Sequence, residues 1–154
     1  MIKIMFVCHG NICRSPMAEF ILKDMAKGQG IADKMQIASC ATSTEEIGNS
    51  VYPPAKAELA RHGLDAKGKR AVQLTRADYE NYDLLIAMDS NNIRNIHRMI
   101  GGDPLGKVKK LMDYTSRGGD VADPWYNGHF DRTYDDIYDG CLCLMKHLKD
   151  NNLI

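Results

Sequence analysis

The sequence has no excess of charge of either sign, because 20 Lys and Arg residues balance 20 Asp and Glu residues among its 154 positions. A neutral chain gains no bulk electrostatic attraction to nucleic acid or to an anionic membrane, so we expect neither as a partner. It also lacks a long apolar run, since residues 2–7 and 84–88 are far shorter than the ~20 residues that span a bilayer. We therefore expect no membrane-spanning segment.

The N-terminus has no basic segment followed by an apolar run and a cleavage site, so we expect no secretory signal and a cytoplasmic location. The five cysteines are odd in number and do not resemble a secreted disulfide framework. We expect free thiols, at least one of them with a chemical role. A composition of 44% hydrophobic and 26% charged residues is typical of a globular chain, and we predict a single domain over residues 1–154.

Predicted strands alternate with predicted helices along the chain. Apolar runs predict strands over residues 2–7, 35–40, 84–87 and 108–112, and helical spacing predicts helices over 15–28, 53–62, 89–100 and from 133 onward. This alternation is typical of an α/β fold with a parallel sheet covered on both faces, which binds ligands at the carboxyl ends of its strands. Residues 113–131 are predicted to form a long functional loop.

The loop after the first strand combines a thiol with a guanidinium. It contains Cys8, His9, Gly10, Asn11, Ile12, Cys13, Arg14 and Ser15, and Pro16 follows in a predicted helix. The free N–H groups of that helix, its dipole and Arg14 all favour a thiolate at Cys8. The planar fork of Arg14 can hold two phosphate oxygens at once. Gly10 permits a tight turn, and Asn11 tolerates a left-handed backbone. The alternative is a buried cysteine beside a surface arginine.

The segment from Cys8 to Pro16, together with Asp123-Pro124-Trp125-Tyr126, resembles the low-molecular-weight protein tyrosine phosphatases. Their loop has the pattern Cys-x-Gly-Asn-x-Cys-Arg-Ser-Pro. The resemblance implies a three-layer α/β/α fold with a four-stranded parallel sheet in the order 2-1-3-4, a cysteinyl-phosphate intermediate, and neither a metal nor an organic cofactor. By this matching Cys8 is the nucleophile, Arg14 binds phosphate, and Ser15 donates a hydrogen bond to the thiolate.

Asp123 matches the general acid of this family. The chemistry needs such a group, because a phenoxide or alkoxide leaving group requires a proton as its bond to phosphorus breaks. Pro124 restricts Asp123 to an extended backbone and so helps to orient the carboxylate. A simple turn aspartate is the alternative. Trp125 and Tyr126 are predicted to wall a pocket for an aromatic ring, with core packing as the alternative.

The resemblance also implies supporting roles. Cys13 corresponds to a cysteine that forms a reversible disulfide with the nucleophile, and His62 to a histidine that hydrogen-bonds Asn11. Asp89 and Ser43 correspond to residues that support the loop. From sequence alone, His62 equally suits a helix-terminal surface histidine and Asp89 a helix N-cap. The remaining cysteines are predicted to be structural, and they are Cys40, Cys141 and Cys143.

Two positions bear on the substrate. Glu45 and Glu46 stand where animal members carry an aromatic residue at the pocket rim, and their charge is expected to disfavour acidic phosphopeptides. Ile12 gives an apolar pocket edge, whereas the similar protein-arginine phosphatases carry threonine there. We therefore predict a phosphatase acting on phosphotyrosine in proteins or on small aryl phosphates, as a monomer or weak dimer.

Three alternatives stay open. The first is a protein-arginine phosphatase. The second is a thiol-dependent arsenate reductase of the same fold, which would need further cysteines in a segment where residues 88–102 have none. The third is a phosphate-binding module without turnover, which the combination of Cys8 and Asp123 disfavours.

Overall fold

The computed structural model describes all 154 residues. Four parallel strands form one sheet in the order β2-β1-β3-β4, as predicted. The strands are β1 (Ile2–Cys8), β2 (Met35–Ala41), β3 (Leu84–Ala87) and β4 (Val108–Lys110). The helices are α1 (Arg14–Gly28), α2 (Pro53–Arg61), α3 (Arg76–Asn81), α4 (Ser90–Ile100), α5 (Pro124–Asn127) and α6 (Phe130–Asp150). None of these helices is long and apolar enough to cross a membrane.

The central strand β1 is apolar on both faces because helices cover the sheet on both sides. Successive side chains of a strand point to opposite faces, so Ile4 and Phe6 enter the larger core while Met5 and Val7 enter the smaller one. The larger core is built mainly with α1 and α6, and the smaller one includes Ile96 of α4. The predicted three-layer α/β/α architecture is therefore confirmed.

Several predicted boundaries move by a few residues. Helix α1 begins at Arg14 and not after Ser15, and Pro16 is tolerated because the N–H groups of a first turn have no partner within the helix. Helix α6 begins at Phe130, three residues before the predicted start. Strand β4 ends at Lys110, where a short 3₁₀ turn over Leu111–Tyr114 follows. The predicted loop over 113–131 is interrupted by α5.

Helix α3 was not predicted. It is short and has one buried residue, Tyr79, so it has little apolar periodicity. Its start nevertheless carries a capping box, in which the Thr75 hydroxyl accepts from the N–H of Asp78 and the Asp78 carboxylate accepts from the N–H of Thr75. The Thr-x-x-Asp pattern was the available signal.

Candidate active site

The loop between β1 and α1 lies at the carboxyl end of the central strand. Neighbouring backbone donors hold its carbonyl groups: the N–H of Ser43 donates to the His9 carbonyl at 3.0 Å, and the N–H of Tyr52 donates to the Ile12 carbonyl at 2.9 Å. With these carbonyls held by the surrounding chain, the loop N–H groups and the free N–H groups at the start of α1 are left for an anion. The loop is therefore built to bind a phosphate.

Cys8 lies at the base of this loop with 3% of its surface exposed. Its Sγ is 3.0 Å from the Ser15 hydroxyl oxygen, and the backbone N–H of Asn11 donates to it at 3.3 Å. Hydrogen bonds from these two groups stabilise negative charge on sulfur. The structure thus places Ser15 where the resemblance implies a donor to the thiolate.

Asn11 ties the loop to two other parts of the chain. Its backbone is left-handed, with φ of 59°, a conformation that asparagine tolerates better than most residues. Its side-chain amide donates to the hydroxyl oxygens of Ser15 at 2.7 Å and Ser39 at 2.9 Å, and its amide oxygen accepts from the N–H of Val72 at 3.2 Å. Every polar atom of this buried side chain has a partner, which fixes the loop conformation.

Arg14 is buried, and three acceptors hold its guanidinium. Nη1 donates to Asp89 at 2.7 Å and to the Val121 carbonyl at 2.9 Å, and Nη2 lies 3.5 Å from Asp123 Oδ2. Burial acts to lower the pKa of Arg14, but the negative charges of Cys8, Asp89 and Asp123 outweigh it and raise the pKa. Arg14 is consequently a fixed, permanent positive charge beside Cys8.

Asp89 has both of the roles that its sequence position allowed. One carboxylate oxygen accepts from Arg14, and the other accepts from the N–H of Asn92 at 2.7 Å and so caps α4. Because one side chain makes both bonds, the orientation of Arg14 is tied to the start of α4.

Asp123 is the N-cap residue of α5. Its Oδ1 accepts from the N–H of Trp125 at 3.0 Å, while Oδ2 faces Arg14. Its backbone is extended, as expected for a residue before proline. One oxygen is thus used to orient the side chain, and the other is left at the site with Cys8 and Arg14.

One pocket contains the predicted catalytic and substrate-binding groups. Its walls are formed by Cys8, His9, Gly10, Ile12, Cys13, Arg14, Glu45, Glu46, Asp123, Trp125 and Tyr126. Glu45 contacts the His9 ring nitrogen at 2.9 Å. No group of three or more His, Cys, Asp or Glu side chains converges as metal ligands.

The two aromatic walls differ in exposure. The Trp125 side chain is half exposed and packs against the ring of Tyr52, with ring centroids 4.7 Å apart, whereas Tyr126 is 85% exposed. Tyr52 in turn packs against Phe130, the first residue of α6. Trp125 is therefore supported from behind, and Tyr126 is not.

All five cysteines are free thiols. Cys13 lines the same pocket as Cys8 and is buried, and burial, followed by the charges of Cys8 and Asp123, raises its pKa to about 12. Cys40 and Cys141 are buried away from the pocket walls, and Cys143 is partly exposed. The placement of Cys13 is compatible with the redox role that the resemblance implies.

Two predicted supporting residues do not act as predicted. His62 does not contact Asn11: its ring contacts Glu58 at 3.1 Å and stacks on Tyr134, with ring centroids 3.6 Å apart. The end of α2 directs His62 toward α6, and the N–H of Val72 has the position at the Asn11 amide oxygen. Ser43 supports the loop only through its backbone N–H, since its hydroxyl accepts from the N–H of Glu45.

Sequence reasoning missed three residues behind the loop. Ser39 of β2 accepts from Asn11, Glu19 of α1 accepts from the Ser39 hydroxyl at 2.6 Å, and Lys69 lies beside both. A carboxylate on the buried face of α1 and a serine inside an apolar strand were the available signals. Which polar groups meet across two elements depends on the tertiary structure.

The fold and the site define an α/β protein whose phosphate-binding loop is built around a cysteine and an arginine. Residues 3–153 match the family model described as "Low molecular weight phosphotyrosine protein phosphatase". The chain belongs to this family, and it is an enzyme of the low-molecular-weight protein-tyrosine-phosphatase class.

Named relatives and solved structures agree with this assignment. The chain is 36% identical over 151 residues to the low molecular weight protein-tyrosine-phosphatase YfkJ of Bacillus subtilis, covering 97% of each chain. It is 38% identical over 130 residues to the low molecular weight phosphotyrosine protein phosphatase of Schizosaccharomyces pombe, covering 82% of this chain and 83% of the other. The crystal structure of YfkJ superposes with a TM-score of 0.95 over 98% of this chain and 96% of the other.

Proposed function

We propose that the enzyme hydrolyses phosphotyrosine in proteins, and small aryl phosphates, through a phosphocysteine intermediate. The observation that carries the proposal is that Cys8, Arg14 and Asp123 share one pocket with aromatic walls. These three groups are the nucleophile, the phosphate ligand and the proton donor that such a reaction needs.

In the first step the phosphate of the substrate binds to the loop N–H groups and to Arg14. Asp89 and the Val121 carbonyl already hold the guanidinium, so little reorganisation is needed when charge builds up on the phosphate oxygens. The Cys8 thiolate attacks phosphorus. A sulfur–phosphorus bond forms, the bond from phosphorus to the phenol oxygen breaks, and Asp123 gives its proton to that oxygen.

In the second step water attacks the phosphocysteine. Asp123, now a carboxylate, takes a proton from the water, and the sulfur–phosphorus bond breaks to release phosphate and the Cys8 thiolate. The hydroxyl of Ser15, 3.0 Å from the sulfur, stabilises the thiolate as it leaves. The enzyme returns to its starting state with no external reductant.

The pocket walls favour an aromatic leaving group. Ile12 and Trp125 present apolar surface to a flat ring, and Glu45 and Glu46 at the rim repel acidic residues beside the phosphotyrosine. Ile12 has no hydroxyl that could help to place the attacking water, which favours phosphotyrosine over phosphoarginine. Our proposal includes a cytoplasmic location, where cysteines stay reduced, and action as a monomer or weak dimer.

Hydrolysis of para-nitrophenyl phosphate in excess chelator tests this proposal. We expect turnover by the wild type, none above background for Cys8→Ser, and a strong loss for Asp123→Ala. Turnover that does not depend on Cys8 would overturn the mechanism. Comparable kcat/KM values for phosphoarginine and phosphotyrosine peptides of the same sequence would overturn the substrate preference.

A further inference from the structure

A buried carboxylate lies behind the phosphate-binding loop and has no part in the steps above. Glu19 of α1 is 5% exposed. Its Oε1 accepts from the Ser39 hydroxyl at 2.6 Å and lies 3.7 Å from Lys69 Nζ, and its Oε2 accepts from Lys23 Nζ at 2.6 Å. An ionised group is costly to bury unless it is paired and hydrogen-bonded, so this arrangement needs a physical explanation.

The carboxylate sets the direction of a hydrogen bond in β2. An ionised carboxylate can only accept, so the Ser39 hydroxyl must donate its hydrogen to Glu19. The Ser39 oxygen then presents a lone pair to the side-chain amide of Asn11, 2.9 Å away. The N–H of Val72 donates to the Asn11 amide oxygen and so turns the NH₂ group toward Ser39 and Ser15.

The same directionality reaches the nucleophile. The Ser15 oxygen accepts from Asn11 at 2.7 Å, which leaves the Ser15 hydrogen free to donate. Two acceptors are within reach, Cys8 Sγ at 3.0 Å and the Cys40 carbonyl at 3.4 Å. The closer contact with Cys8 leaves this chain of hydrogen bonds ending in a donor to the sulfur.

We propose that Glu19 is a positioning residue for the nucleophile: its carboxylate holds the Ser39 hydroxyl as an acceptor for Asn11, and Lys69 is the counter-charge that this buried carboxylate requires. The inference rests on the proposed function only in taking Cys8 as the reactive thiol. Glu19 touches neither the pocket nor the substrate and acts through Ser39, Asn11 and Ser15.

Lys69 and Lys23 offer a matched comparison around the carboxylate. The Lys69 side chain is 13% exposed and donates to the Ser39 carbonyl at 2.9 Å, so it contacts the same residue that Glu19 orients. Burial lowers the pKa of Lys69, and the charge of Glu19 opposes this shift. The Lys23 side chain is 45% exposed and binds only the outer oxygen of Glu19. Removing Lys69 should therefore disturb the chain of hydrogen bonds, and removing Lys23 should not.

The test is the pH dependence of Cys8 alkylation by iodoacetamide, followed by mass spectrometry of the peptide that contains Cys8. The charged and titratable groups facing Cys8, which are Arg14, Cys13, Glu46 and Asp123, are unchanged in every variant. We expect Glu19→Gln and Ser39→Ala each to move the alkylation midpoint to higher pH and to slow alkylation at pH ~6 by about threefold or more. Lys69→Met should act in the same direction, and Lys23→Met should match the wild type.

A double variant separates positioning from simple packing. If Glu19 acts through Ser39, the variant carrying Glu19→Gln and Ser39→Ala should be no slower than the slower single variant, because both changes break the same chain. Multiplicative losses, or a lower Tm with an unchanged alkylation profile, would overturn the proposal. If Glu19→Gln does not fold, Lys69→Met and Ser39→Ala form an equivalent cycle. Alkylation requires no turnover, so a failure of the proposed phosphatase reaction would be seen separately.

Discussion

The two halves of the active site are held in different ways. In the cysteine loop, Asn11, Arg14 and Ser15 are at most 3% exposed and are fully hydrogen-bonded. In the segment from Asp123 to Tyr126, the acid side chain is 27% exposed and the aromatic side chains are more exposed still. The buried half can hold fixed charges around a phosphate, while the surface half can exchange protons and meet varied substrates.

The largest expected effect comes from breaking the buried half with Arg14→Lys. A lysine has one nitrogen and cannot contact Asp89, the Val121 carbonyl and two phosphate oxygens together. We expect kcat/KM for para-nitrophenyl phosphate to fall about 10²–10³-fold. The exposed Arg94, changed to lysine in the same way, should leave activity unchanged. A loss for Arg14→Lys below about tenfold would show that charge alone suffices.

Next in size is the proton transfer from the surface half. Asp123→Asn keeps an acceptor for the N–H of Trp125, so the cap of α5 should survive while the acid is lost. We expect kcat for phenyl phosphate to fall about 10²-fold, and kcat for para-nitrophenyl phosphate to fall less because nitrophenolate leaves readily without a proton. Equal losses for the two substrates would argue against a general acid at this position.

The two cysteines of the buried half should differ in reactivity. The pKa of Cys13 is raised to about 12 by burial and by the charges of Cys8 and Asp123, so Cys13 stays a protonated thiol at neutral pH. We expect iodoacetamide at pH ~7 to label Cys8 more than about tenfold faster than Cys13, and the labelling of Cys13 to rise only as the pH approaches 12. Peptide mass spectrometry would measure both rates. Comparable rates at neutral pH would contradict this difference.

The smallest effect is expected from the aromatic wall. Trp125→Ala removes a ring supported by Tyr52, and we expect KM for aryl phosphates to rise about 3–10-fold with a smaller change in kcat. Tyr126→Ala should have a weaker effect because its ring is largely exposed. Tyr138→Ala, on α6 and outside the pocket walls, serves as the control. A larger effect for Tyr126 than for Trp125 would reverse our view of the wall.

The sequence predicted the cysteine loop well because its determinants are local. The spacing of Cys8, Arg14 and Ser15 between a strand and a helix defines most of the loop geometry. The strand order and the pairing of Asp123 with this loop came with the family resemblance, since separation along the chain does not report them. The supporting residues were harder, as His62 and Ser39 show. Only the packing of α1 on β2 brings Glu19 to Ser39 and leaves His62 at the surface beside α6.

Tyr52 is the residue that the two halves of the site share. Its backbone N–H supports the Ile12 carbonyl of the cysteine loop, and its ring supports Trp125 of the acid segment. A ligand that shifts Trp125 therefore changes the free energy of the phosphate-binding loop through a single residue. Such energetic coupling is reciprocal, so phosphate bound at the loop must alter the affinity for whatever rests on Trp125 by the same factor. Leaving-group recognition and phosphate binding are then linked equilibria, joined at Tyr52.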